Sequence, residues 1–458
     1  MQELRPIVFT VFEPSGDLLA ARLIREIRRR EPGRPIVGFG GPEMQAAGAE
    51  LLEETTGHAK MGLSAVSEAK TLLQRKAKLA AWLKENPIAA LVPTDSPAAN
   101  WSMCKAVRQH QPDAKIVHLV GPQIWAWASW RINRLRKLTD HVLCLLPFEP
   151  DWFGSRGVPA TFVGHPLYSP EAREVDDSPL IATDDQPVRV GQPNLALLPG
   201  SRAKEVAVNW PTMLKVYDQL RHRLPNLAVT VAAADRNRAQ QLNQMSPGGR
   251  PPRGVQVVVG QASRVLDWAD ATLVVSGTAT LQAASRGTPM VVLYNANMKA
   301  WHLVGRWLIS SRTFALPNVI GEAMDWGRLV PELVPHDGSP EPVLERLRPL
   351  LQDENARQQQ IDRLAQIAEV YGNLNFETRA ADVLLQQIDT TAAPSSTSNQ
   401  TPPPATQEAD QETAAPPAPE VDAPDNDVDA DQADADQSDT DQDDQAPREA
   451  PSKTPRED

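Results

Sequence analysis

Four short stretches of the chain bring together residue types that binding and catalysis need, each where an apolar run gives way to a helical pattern. In FEPSGDLLAARLIREI, Glu13, Ser15, Gly16 and Asp17 fall in the turn that opens a helix. Such turns bind ligands because free amides and the helix dipole point outward at the carboxyl edge of a sheet. The stretch is not G-x-G-x-x-G, so the dinucleotide fingerprint is absent. Ser15 and Asp17 acting only as caps on their own helix is the simpler local reading.

NLALLPGSRAKEV repeats the arrangement, with Gly200 and Ser201 allowing close backbone approach and Arg202 supplying a fixed cation suited to a diphosphate. VVSGTATLQAASRGTPMVVLY is a third case, a hydroxyl-rich turn of Ser276, Gly277, Thr278 and Thr280. No Walker lysine accompanies them, so a nucleotide-sugar donor fits better than ATP hydrolysis. In PTDSPAANW a strand ends on Asp95, either a general base presented to a cleft or part of a helix start that Ser96 or Asn100 would cap equally well.

HLVGPQIWAWASWRINRLRK mixes Trp125, Trp127 and Trp130 with Arg131, Arg134, Arg136 and Lys137. That mixture suits a phospholipid headgroup, and it equally suits core tryptophans under a solvated basic face. His165 in TFVGHPL reads as a hydrogen-bonded structural group or a cleft residue. No His, Cys, Asp and Glu grouping has metal-ligand spacing, so neither a metal nor another cofactor is expected.

The elements that position these residues alternate from the start. PIVFTVF, PIVGFGG, AALVPTD, KIVHLVG and HVLCLLP are separated by helical patterns, which predicts βαβ units and a parallel sheet. The pattern lapses between Tyr168 and Pro193 and then resumes through NLALLPGSR, LAVTVAAA, VQVVVG, ATLVVSG and PMVVLY. The expected organisation is a first Rossmann-like α/β domain over 1–168, a linker over 169–193, and a second Rossmann-like domain with closing helices over 194–389. A disordered acidic tail is expected over 390–458.

Charge supports that division. The chain holds 58 acidic and 46 basic side chains, of which 18 and 3 lie from Thr390 onward, leaving 40 against 43 before it. The tail has almost no large apolar residue and cannot bury a core, and nothing in it names a partner. The mildly basic remainder suits anionic ligands without implying nucleic acid. Cys104 and Cys144 lack a partner motif and are expected to be buried thiols in a reducing compartment. The N-terminal sequence has no signal-peptide pattern, and the apolar runs are too short to span a bilayer, which suggests a cytoplasmic protein.

Taken together and in order, these segments resemble the lipid-A-disaccharide synthase family over nearly all of residues 5 to 385. EPSGDLLAARLIREI resembles its opening E-x-S-G-D turn, GFGGPEMQAAGAE its G-x-G-G-P-x-M-x-A-x-G, and PQIWAWASWR, PFEPDWF and FVGHPL its central run. LLPGSRAKEV, SGTATLQAASRGTPMVVLY, LPNVIG and LVPELV complete the series. The resemblance implies an inverting, metal-independent glycosyltransferase of the two-Rossmann, GT-B type. It would join UDP-2,3-diacylglucosamine to 2,3-diacylglucosamine 1-phosphate and release UDP, working peripherally on the inner face of the inner membrane.

Carried over by position, the catalytic residues would be Asp95 and Glu13. Arg202 and Asn318 would serve the donor, alongside Gly200, Ser201, Ser276, Gly277, Thr278, Thr280 and Gln282. Ser15, Trp125, Trp127 and Arg131 would meet acceptor, lipid or membrane. The chain departs from the family pattern at Ala98, Ala99, Ala128, Gln282 and Pro335. A carboxylate at 282 would accept from two ribose hydroxyls where an amide offers one acceptor oxygen. These departures keep two further readings open: a related glycosyltransferase with another lipid or sugar acceptor, and a weakly catalytic glycolipid-binding paralogue.

Overall fold

Among the described residues, runs of three to six mostly buried, β-branched or aliphatic residues form thirteen strands in two sheets whose pairings are all parallel. The computed structural model describes residues 4–56, 65–95, 97–126, 128–173, 178–295 and 313–392. The first sheet contains β1 (Ile7–Val11), β2 (Ile36–Gly40), β3 (Glu50–Glu54), β4 (Ala90–Thr94), β5 (Lys115–Leu119), β6 (His141–Cys144) and β7 (Ala160–Phe162). The second contains β8 (Asn194–Leu198), β9 (Ala228–Ala233), β10 (Val255–Val259), β11 (Ala271–Val275), β12 (Met290–Asn295) and β13 (Glu332–His336). Central strands such as β1 and β11 are buried at every position, as expected when helices cover both faces of a parallel sheet.

The strand orders are β3-β2-β1-β4-β5-β6-β7 and β10-β9-β8-β11-β12-β13. Each order reverses direction once, between β1 and β4 in the first sheet and between β8 and β11 in the second. At such a switch point the neighbouring connections leave toward opposite faces and open a crevice beyond the strand carboxyl ends. Glu13 and Asp95 follow β1 and β4, while Gly200 to Arg202 and Ser276 to Thr278 follow β8 and β11. The four stretches singled out in the sequence therefore occupy the two switch points.

Two apolar clusters cover the faces of each sheet. One belongs to the first sheet yet includes Phe376, Ala380, Ala381, Leu384 and Ile388, the apolar stripe of the last helix, Phe376–Ala392. This corrects the expected boundary: the chain crosses back after Tyr371, and its last helix closes the first domain. Arg30 pairs with Asp382 and Arg22 with Glu377 to hold it there. The outgoing and returning crossings meet where Tyr168 and Tyr371 stack with centroids 4.1 Å apart, and Tyr371 Oη donates to Leu145 O.

The expected linker is also largely structured. Ile181 and Pro187 form an antiparallel bridge, Thr183 N–H donates to Val257 O, Arg189 N–H donates to Gln256, and Leu180 and Val188 pack on the second domain, so residues 180–189 edge that domain beside β10. The acidic tail from 393 onward lies outside the described residues. Cys104 and Cys144 are both buried and form no disulfide, and burial pushes the Cys104 thiol up to about 12. No helix among the described residues is long and apolar enough to cross a membrane.

Candidate active site

The first-domain half of the site depends on two buried polar side chains. Gly16 brings its helix down onto the switch point: a Cβ there would stand 3.0 Å from Val11 Cγ1 and 3.4 Å from Thr94 Cγ2. Asp17 is buried but does not cap its own helix. It accepts from the amides of Gly41, Glu43 and Met44 at 3.0 to 3.1 Å, and so caps the helix Pro42–Ala46. This corrects the simple capping reading and ties two sequence motifs into one unit. Glu13 stands at the N-cap of the helix Pro14–Arg30 without a capping hydrogen bond, and Ser15 is exposed in the first turn.

Asp95 leaves β4 in a left-handed conformation, φ 48, which asparagine and aspartate tolerate better than most residues. The register with β5 is interrupted between Leu91↔Ile116 and Thr94↔Leu119, around Pro93, which has no N–H to give. Asn100 then fixes the turn. Its Nδ2 donates to Asp95 O at 2.7 Å and Thr94 O at 3.1 Å, while its Oδ1 accepts from Thr10 Oγ1 at 2.6 Å. Fully buried and fully bonded, Asn100 is a strut rather than a helix cap, and it fixes the backbone that carries the half-buried Asp95.

In the second-domain half, Gly200 adopts φ 114, a conformation that favours glycine, and a Cβ would crowd Glu205 Cβ at 2.6 Å. Glu205 folds back over this turn and accepts from the amides of Ser201 and Arg202 at 3.0 and 3.2 Å. An internal carboxylate thus occupies the two amides of the turn that the sequence reading offered to a diphosphate. What the turn presents is the Arg202 guanidinium, whose side chain is 73% exposed, with Glu205 Oε1 3.1 Å away. Tyr294, at the end of β12, is near enough for both charges to act on it: burial raises its pKa first, Glu205 raises it further, and Arg202 lowers it.

Beside it, Gly277 and Thr278 are exposed at the N-terminus of the helix Thr278–Ser285. Ser276 Oγ donates to Phe314 O, and Gln282 Nε2 donates to Ser263 Oγ at 2.8 Å. Thr280 is buried and consumed, donating to Gly277 O and accepting from Leu316 N–H. Asn318 is likewise fully buried, its Nδ2 donating to Val330 O and Glu332 while its Oδ1 accepts from Leu329 and Val330. Direct donor contacts from Thr280 and Asn318 are therefore replaced by internal roles: both tie the helix starting at Leu316 to its neighbours.

The two halves face one another. Arg202 Nη2 stands 3.9 Å from Glu13 Oε2, an ion pair from the turn after β8 to the turn after β1. The proposed membrane residues divide differently. Trp125 is half-buried, donates from Nε1 to Glu149 at 3.1 Å and packs edge-on against Phe148, so it is an internal support rather than an exposed lipid contact. Arg131 is only 6% exposed, while Trp127 lies outside the described residues. Burial pushes the Glu149 carboxyl up to about 7, against the lowering by its hydrogen bonds from Leu146 and Trp125. His165 accepts from Leu167 N–H and is buried, in keeping with its structural reading.

Glu149 and Glu205 are working residues that the sequence reading did not single out, and Asn100, read there only as a possible helix cap, serves instead as the strut of the Asp95 turn. Only Glu205 carried a local signal, since an acidic residue three positions after a helix start is the capping-box spacing. Among the described residues no group of three or more His, Cys, Asp and Glu side chains is placed to share a metal.

Comparison with known proteins agrees with this fold. Two solved structures share the fold at low identity: the calicheamicin glycosyltransferase CalG4, with TM-score 0.52, 18% identity, 86% of this chain and 100% of that one; and UDP-GlcNAc 2-epimerase from Neisseria meningitidis bound to UDP-GlcNAc, with TM-score 0.57, 13% identity, 83% and 99%. Among sequence relatives, lipid-A-disaccharide synthase from Idiomarina loihiensis is 32% identical over 386 residues, covering 82% of this chain and 97% of its own. The Alcanivorax borkumensis enzyme of the same name is 34% identical over 339 residues, covering 73% and 85%. The profile of the family described as lipid-A-disaccharide synthetase matches residues 7–388. With two parallel-sheet domains of GT-B type and relatives of one name along nearly the whole folded chain, this protein belongs to the lipid-A-disaccharide synthetase family and is a hexosyltransferase that forms the lipid A disaccharide.

Proposed function

We propose that the family's UDP-sugar donor and sugar-phosphate acceptor are, for this chain, UDP-2,3-diacylglucosamine and 2,3-diacylglucosamine 1-phosphate, and that transfer inverts the anomeric centre without a metal. The observation that carries this reading is the 3.9 Å approach of Glu13 and Arg202, which sets the two switch points against one cleft. Asp95 removes the proton of the acceptor hydroxyl as that oxygen attacks the anomeric carbon from the face opposite the diphosphate. The bond from the anomeric carbon to the diphosphate oxygen breaks, and the charge growing on UDP is met by Arg202 and the exposed amides at Gly277 and Thr278.

Glu13 supplies the counter-charge to Arg202 before the donor arrives and yields it to the diphosphate. Ser276 and Gln282 line the donor side, and Ser15 the acceptor side. Because both substrates carry acyl chains, the protein works at the surface of a membrane, on the cytoplasmic side where UDP-sugars are found. The replacements at Ala98 and Ala99, on the first turn after Asp95, favour a second reading in which the same transfer uses another lipid acceptor.

The test is incubation of the purified chain with UDP-diacylglucosamine and a set of phosphorylated glucosamine lipids, followed by mass spectrometry. Equimolar disaccharide and UDP from the diacylglucosamine 1-phosphate acceptor is the expected result. Release of UDP without any disaccharide would refute the assignment.

A further inference from the structure

The run from Gly121 to Thr139 contains four cationic side chains and no carboxylate. The structure sorts its aromatics: Trp125 is tied inward, whereas Trp130 is 65% exposed, among the most exposed large apolar side chains of the described residues. Trp130 sits in a single 3-10 turn that leads into the helix Ile132–Leu138. Ile132, Leu135 and Leu138 face the core, which leaves Trp130, Arg134 and Lys137 at helical spacing along the outer side.

A second strip of charge adjoins this face. Arg136 is exposed and its Nε donates to Arg156 O at 3.0 Å, and the exposed Arg156 guanidinium lies 4.2 Å from the Trp152 ring centroid. The Arg131 guanidinium stands 5.2 Å from the Trp130 ring and supports it from the inside. An exposed indole flanked by cations is what an anionic lipid surface selects. The ring enters the headgroup region, and each cation near the surface adds electrostatic attraction. Trp130 is also joined through residues 120–129 to the carboxyl end of β5, immediately beside Asp95, whose N–H donates to Leu119 O.

We infer that Trp130, Arg134, Arg136, Lys137 and Arg156 form a docking surface for an anionic phospholipid bilayer, which presents the acceptor side of the cleft to the membrane. The inference rests on the reading that the substrates are lipid-borne, and it moves the contact from Trp125 and Arg131 to the outer face of the next helix.

The full chain is to be co-sedimented with vesicles of phosphatidylcholine alone and of phosphatidylcholine mixed with phosphatidylglycerol. The wild type is expected to bind the mixed vesicles, to bind neutral ones far more weakly, and to be released by salt. Each of Arg134→Gln and Lys137→Gln should weaken binding about fivefold. Trp130→Ser should weaken it by a similar factor or more, while Arg134→Lys should retain it. Unchanged melting temperatures would show that the variants fold. If the wild type binds and all variants bind equally, this surface is wrong while the membrane reading stands. If the wild type binds neither vesicle, the membrane reading itself falls. Binding of a single-stranded oligonucleotide instead of vesicles, lost in the same variants, would reassign the surface to nucleic acid and overturn the proposal.

Discussion

The turns after β1 and β8 begin alike, as a central strand running into a helix N-terminus, but they use their carboxylates in opposite ways. In the first domain Asp17 reaches away to the amides of Gly41, Glu43 and Met44, and Glu13 remains at the cleft. In the second, Glu205 turns back on the amides of Ser201 and Arg202, and what reaches the cleft is a guanidinium. One strand-turn-helix design therefore yields a carboxylate-bearing wall and a cation-bearing wall. Where the amides of a glycine-containing turn at a helix start are already paired, the side chain beside them is what the turn presents to the cleft.

The largest effect that would sharpen this comparison is expected at the end of β4, on the acid-bearing wall. Asp95→Asn keeps the size and the left-handed backbone but removes the carboxylate proposed as the base, so turnover should fall on the order of 10²-fold or more with folding unchanged. Full activity in a steady-state assay would leave Asp95 with a structural role only.

Asp17 is the next strongest test. Asp17→Ala strips three backbone amides of their acceptor in a buried setting, which should cost about 3 kcal/mol in a denaturant titration. A loss within error of zero would mean that water or a shifted backbone replaces the cap, and that the first turn is not built as described.

The smallest effect should come from the other wall. Glu205→Gln removes the negative charge that occupies the Ser201 and Arg202 amides and holds Arg202, so UDP should bind about fivefold more tightly. Weaker UDP binding in calorimetry would show that Glu205 orients Arg202 rather than competing for it.

Much of this was legible in the sequence because parallel strands buried on both faces leave continuous apolar runs, and switch-point turns follow them directly. PIVFTVF and NLALLPGSR announce both their strands and the turns that end them. Contacts between distant segments were not legible. The stripe Phe376, Ala380, Leu384 and Ile388 says that a helix is half buried, not which sheet it covers, and it covers the first. Asp17 meets amides 24 to 27 residues away, and Asn318 meets backbone 11 and 12 residues away, pairings that topology creates. Trp125 and Trp130 have the same composition around them. Only the path of the loop turns one toward Glu149 and the other outward.

The central claim, a base on one wall and a diphosphate cation on the other, is tested most directly by calorimetric titration of UDP into Asp95→Asn and Arg202→Ala side by side. Asp95→Asn should bind UDP as the unmodified chain does, whereas Arg202→Ala should bind it at least about tenfold more weakly, the loss of one charged hydrogen-bonding partner. Equal affinities in all three proteins, or a loss confined to Asp95→Asn, would contradict the division of labour between the two domains.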